Sequence, residues 1–82
     1  MLEIKKVNTN LLAEKGEKIY NDVLKEKLEP IYKGKIVAIE PDSGEYFINN
    51  STVRAIEKAK EKYPDKVFYL VRIGYPTVHI HR

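Results

Sequence analysis

Two histidines set two residues apart near the end of the chain, His79 and His81, come nearest to a chemical arrangement. On a strand, residues i and i+2 project from one face about 7 Å apart, as two imidazole ligands of a metal can. A third ligand would have to be a carboxylate from elsewhere, such as Glu40 or Glu45, and a solvent-facing edge strand explains the pair more simply. Arg72 interrupts an apolar run beside Gly74. There it can meet an acidic partner, snorkel to water, or pair with Glu40 or Glu45 across a sheet. The tyrosines, six in all, can stack bases where basic residues lie near, but tyrosines more often finish a small core with their hydroxyls at its rim. With no cysteine, and with Ser43 and Ser51 placed as turn and cap residues, no nucleophile, base and orienting group come together. The expectation is a protein that is not an enzyme, with no catalytic residue, cofactor or metal.

The elements that must position these residues are organised around 67–73, Val-Phe-Tyr-Leu-Val-Arg-Ile. Apolar side chains of both parities make this a strand covered on both faces. Residues 35–40 form a second such strand. Pro41, Asp42, Ser43 and Gly44 make a turn, with Gly44 in the left-handed position, and 45–48 return as the hairpin partner. A helix runs from Thr9 or Asn10 to about Glu29, with Leu12, Ile19, Tyr20, Val23, Leu24 and Leu28 on its apolar side. Gly16 costs this helix about 1 kcal/mol relative to alanine, and Pro30 is expected to end it. Asn49, Asn50 and Ser51 can cap a second helix over 52–63, striped by Val53, Ile56, Ala59 and Tyr63. The last strand, 77–81, alternates. Residues 1–8 read as a loose N-terminal arm ahead of a single domain over 9–82.

These elements predict an α+β fold, a two-layer α/β sandwich in the order α-β-β-α-β-β. Its mainly antiparallel four-stranded sheet, in the order 2-1-3-4, carries two helices. Two helices on one face leave the other bare. Either the first helix crosses over or a second subunit covers the gap, because a large exposed apolar patch marks an interface; a homodimer is the expected solution.

At 82 residues the chain suits one small domain. Its 15 basic and 12 acidic residues are interleaved, and the net charge of +3 rests mostly on lysine, a poor indicator of nucleic-acid binding. No apolar run approaches the roughly 18 residues of a membrane span, and the first residues lack an apolar signal region. With cysteine absent, a cytoplasmic location is expected. The abundance of Lys, Glu and Ile resembles that of thermophile proteins.

In Glu17-Lys18-Ile19-Tyr20, Leu28-Glu29-Pro30, Gly34-Lys35-Ile36-Val37-Ala38-Ile39, Ser43-Gly44-Glu45-Tyr46, Lys62-Tyr63-Pro64-Asp65 and Val71-Arg72-Ile73-Gly74, the chain resembles a family of small uncharacterised prokaryotic proteins. The resemblance covers about residues 14–75. It implies a helix followed by a strand-strand-helix-strand core, a stand-alone small protein and a protein partner encoded nearby, and it carries over no catalytic residue.

The functional expectation is therefore a non-catalytic protein-interaction module, self-associating or bound to a protein partner. Its candidate contact residues are Leu12, Ile19, Tyr20, Val23, Phe47, Tyr69, Arg72, His79 and His81. The alternative is a nucleic-acid-binding domain using the sheet face, with Arg72, Lys35, His79 and Arg82 on phosphates.

Overall fold

The computed structural model describes residues 9–75 and 78–81, with side chains from 11 to 75. The expected arm, 1–8, lies outside the described residues, as do the side chains of His79 and His81 and all of Arg82.

The chain opens with a helical rod in three parts: α1 (Thr9–Ile19), a π-helical turn (Tyr20–Leu24) and α2 (Lys25–Tyr32). Tyr20, Leu24 and Leu28 are its buried anchors. Contacts spaced by four residues drift about 40° per step around an α-helix. The wider turn, in which Lys25 donates its N–H to the Tyr20 carbonyl, rotates the chain less per residue and keeps these anchors over the sheet. Pro30 does not stop the rod, contrary to expectation. It sits in the last turn of α2, where Leu28 and the half-buried Tyr32 hold the helix on the core, so packing overrides the local preference at Glu29. The rod ends at Lys33 and Gly34, and Gly34 donates its N–H to the Ile73 carbonyl at 2.8 Å.

The strands are β1 (Ile36–Ile39), β2 (Tyr46–Asn49), β3 (Phe68–Arg72) and β4 (Val78–His81), and α3 (Thr52–Lys62) crosses between β2 and β3. The strands lie in the order β2-β1-β3-β4, every neighbouring pair antiparallel. Three of them, β2-β1-β3, have described side chains; β4 adds to β3 by its backbone. Ser51 caps α3, its hydroxyl accepting the Arg54 N–H at 3.1 Å. Gly44, at φ +79°, closes the β1–β2 turn.

The expected two-layer sandwich is corrected. Val37, Ile39, Tyr69 and Val71 face the first rod, while Ile36, Ala38, Phe68 and Leu70 face α3. Side chains of opposite parity thus enter two separate cores, and the molecule has three layers with the sheet in the middle. The simple α-β-β-α-β-β order is corrected too, because the π turn divides the first helix, and among the described side chains the core is built on three strands, β2-β1-β3. Among the described residues no sheet face is left bare for a second subunit to cover.

Gly16 explains how the rod reaches that face. It is buried, and a Cβ added there would lie less than 3.0 Å from Cβ, Cγ and Cδ2 of Tyr69. The helix backbone therefore rests directly on the Tyr69 side chain.

Candidate functional site

The candidate contact residues divide between core and surface. Tyr20 and Tyr69 are core residues, 7% and 4% exposed. The Tyr20 hydroxyl accepts the Gly74 N–H at 3.3 Å and donates to Glu29 at 3.1 Å, which ties the rod to the end of β3. Burial raises the pKa of both phenols above the ordinary value. Phe47 is half-buried edge-on to Tyr63, with ring centres 6.4 Å apart. Arg72 pairs with neither Glu40 nor Glu45; its guanidinium donates to the Gly34 carbonyl at 2.9 Å. Leu12 is half-buried. The backbones of His79 and His81 pair with Leu70 and Phe68.

The carboxylates that a histidine metal site would borrow are engaged elsewhere. Glu40, 1% exposed, accepts the N–H groups of Asp42 and Ser43 at 3.0 and 2.9 Å, so its side chain braces the β1–β2 turn from inside. Glu45 accepts from Lys62 at 2.8 Å and from the Tyr63 hydroxyl at 2.7 Å. Among the described residues no three His, Cys, Asp or Glu side chains converge as a metal site requires. Nor is any helix among them long and apolar enough to cross a membrane.

Asp42 joins three parts of the fold. It accepts from Lys66 after α3 at 2.9 Å and from Lys15 on α1 at 3.5 Å. Hydrogen bonds from Lys66, and from Lys62 to Glu45, hold both carboxyls below their ordinary pKa. A carboxylate whose pKa is depressed in the fold contributes stability above its unfolded pKa, and loses it as pH falls through the folded value. The stability to urea is therefore expected to be level near neutrality and to fall below about pH 4. Asp42→Asn should flatten part of that slope, in urea titrations at pH 7 and pH 3. The pairs are solvent-exposed, so the change per pair is small.

Two concavities are lined by candidate contact residues. One, of about 460 Å³, lies between the rod and the end of β3, where Tyr20, Glu29 and Gly74 already satisfy one another. The other is a shallow groove of about 320 Å³ lined by Lys15, Lys18, Ile19, Asp22, Val23 and Pro41. Val23 is 60% exposed, and Ile19 and Pro41 form an apolar floor beside it. Lys15 is occupied by Asp42, whereas Lys18 has no ion-pair partner among the described residues. Of these lining residues the sequence pointed to Ile19 and Val23. Pro41 reads in the sequence only as a turn residue, because nothing local indicates that the hairpin turn folds back under α1.

The fold and its surface thus define a small three-layer α+β domain with an internally satisfied core and an apolar groove at one end. Comparison with protein-family models, curated proteins and solved structures finds no match, which neither supports nor opposes the family resemblance of residues 14–75.

Proposed function

We propose that this protein is a non-catalytic protein-interaction module of the cytoplasm, acting by self-association or by holding a protein partner. The observation that carries the reading is the groove of Ile19, Val23 and Pro41. Val23 stays in contact with water there, beside the half-buried Ile19 and the buried Pro41, although the sheet has helices on both sides. The occupant that fits is a protein segment with one apolar anchor and an adjacent carboxylate, the anchor on Val23 and Pro41 and the carboxylate on the free ammonium of Lys18. The resemblance to small prokaryotic proteins with a protein partner encoded nearby points the same way.

Nucleic-acid binding through the sheet is the weaker reading, because helices occupy both faces on which bases would stack.

The test compares the native chain with Val23→Asp. The exposed position leaves folding within about 0.5 kcal/mol, while an anchor seated on Val23 loses binding at least about tenfold, equivalent to about 1.4 kcal/mol. Partners captured from a lysate by the native chain should be lost from Val23→Asp and weakened by Lys18→Glu. Equal recovery by all three chains would refute the groove as the contact. Binding of an RNA or DNA oligonucleotide that weakens steeply with salt would favour the second reading instead.

A further inference from the structure

The free side of β2 is a second surface, independent of the groove. Glu40 donates its N–H to the Glu45 carbonyl at 2.8 Å, and the β1–β2 register pairs Ala38 with Phe47 and Ile36 with Asn49. Hydrogen-bonding direction alternates along an antiparallel pair, so Glu45, Phe47 and Asn49 address β1. The backbone N–H and C=O groups of Tyr46 and Ile48 point outward. Among the described residues no strand covers them, since β2 is the first strand of the sheet order.

Exposed edges are ordinarily blunted by lysine, proline, a bulge or an inward charge. Tyr46, Phe47, Ile48 and Asn49 include none of these, and the charges at the two ends are already held, Glu45 by Lys62 and Tyr63 and the Lys35 ammonium by the Asn50 side chain. We propose that this edge pairs antiparallel with the β2 edge of a second copy, making one continuous sheet across a two-fold axis at Phe47.

The register follows from which backbone groups are free. A two-fold axis at Phe47 sets Tyr46 opposite Ile48 of the second copy, and the outward groups of both strands then complete four hydrogen bonds. Moving the axis to Tyr46 would oppose Ile48 to Gly44, whose N–H is bound to the Glu40 carbonyl; moving it to Ile48 would oppose Tyr46 to Asn50, whose N–H is bound to the Asn49 side chain. In the favoured register an aromatic side chain meets a β-branched one on one face and Phe47 meets its own copy on the other, both stabilising cross-strand pairs. Glu45 then faces the neutral Asn49, so no like charges are opposed.

The occupant is a second copy rather than an arbitrary peptide because the flank is self-complementary as well. Ile56 and Tyr63 of α3 pack on the core beside Phe47. Val53, three residues before Ile56 and so on the same helix face, is 65% exposed and lines a shallow concavity with Ile56, Glu57, Lys60 and Glu61; the two-fold axis brings two such stripes, each carrying both signs of charge, together. A four-residue strand pair falls well short of the roughly 1,600 Å² of a standard interface, so the helices must contribute and the dimer forms in a concentration-dependent equilibrium.

The test follows solution mass by light scattering from dilute to concentrated samples, together with amide hydrogen exchange. The mass should rise from 9.6 kDa towards twice that value, and the Tyr46 and Ile48 amides should slow at least about tenfold as the dimer forms. Ile48→Pro removes an outward N–H without touching the β1 ladder and should leave a monomer. Because Ile48 also touches the core, the exposed Val53→Glu serves as the second variant and should weaken dimerisation at least about tenfold. A monomer at every concentration would overturn the proposal. So would a dimer whose Tyr46 and Ile48 amides exchange as fast as before, although self-association elsewhere would then stand. Val23→Asp should leave the edge dimer intact, which separates this surface from the groove.

Discussion

Gly16→Ala is expected to destabilise the protein by about 2–3 kcal/mol, a change opposite in sign to what helix propensity alone predicts. Exchanging glycine for alanine within a helix gains about 1 kcal/mol. Here the new methyl would overlap Tyr69 at its Cβ and Cγ, which stand next to the β3 backbone and cannot swing away as a side-chain tip can. Relief requires α1 to lift from the sheet, and overpacking of this kind costs about 1–3 kcal/mol or more. Tyr69, Val37, Ile39 and Val71 would lose part of their cover as it lifts. Gly16→Val adds two further methyl groups at the same contact and should cost more than Gly16→Ala, a large fraction of the roughly 4–12 kcal/mol that a domain of this length has in all. Urea denaturation measures both variants. A stabilised Gly16→Ala would mean that α1 does not lie on β3 and that this face is covered by something else.

The same residue shows where sequence reading reaches its limit. Glycine in a helical pattern reads as a local cost, and its benefit depends on Tyr69, more than fifty positions away in the chain. The central strands were legible because the demand is local: a run apolar at both parities, as in 36–39 and 68–71, must be buried on both sides wherever it lies. Which layer supplies each cover was not legible. An amphipathic stripe shows that a helix is buried without naming the surface that buries it, and the expectation of a bare sheet face arose from that gap. Pro30 and the π turn belong to the same class, since Leu28, Tyr32, Tyr20 and Leu24 hold the rod to the sheet against local preference.

The groove was half legible for a related reason. Ile19 and Val23 belong to the apolar stripe, but the stripe has a centre and a flank. Tyr20, Leu24 and Leu28 occupy the centre, whereas Val23, on the flank, is 60% exposed and lines the groove with Ile19 and Pro41. Glu40 was misjudged because it closes an apolar run. A carboxylate there reads as a metal ligand or as a partner for Arg72, yet the turn folds back and presents it with two N–H donors. Buried carboxylates persist when their oxygens are supplied in this way.

Phe68→Ala is expected to cost about 3–5 kcal/mol, the ordinary penalty for emptying a large buried aromatic site. Phe68 is 0% exposed and shares its core with Ala55 and Ala59, the buried face of α3. Two alanines let α3 approach the sheet closely, but their methyls cannot close the space that the ring would vacate. The decisive reading is how this loss depends on concentration. If α3 of the same chain covers Phe68, the variant loses the same free energy in dilute and in concentrated samples. If the cover came from another chain, binding would add to apparent stability by mass action, and the gap between native and variant proteins would widen with concentration. Association through the β2 edge shifts both proteins together and cancels in the difference. A constant gap in urea midpoints across a hundredfold range of concentration is therefore the expected result. A widening gap would move α3, and the layer it forms, out of the protomer.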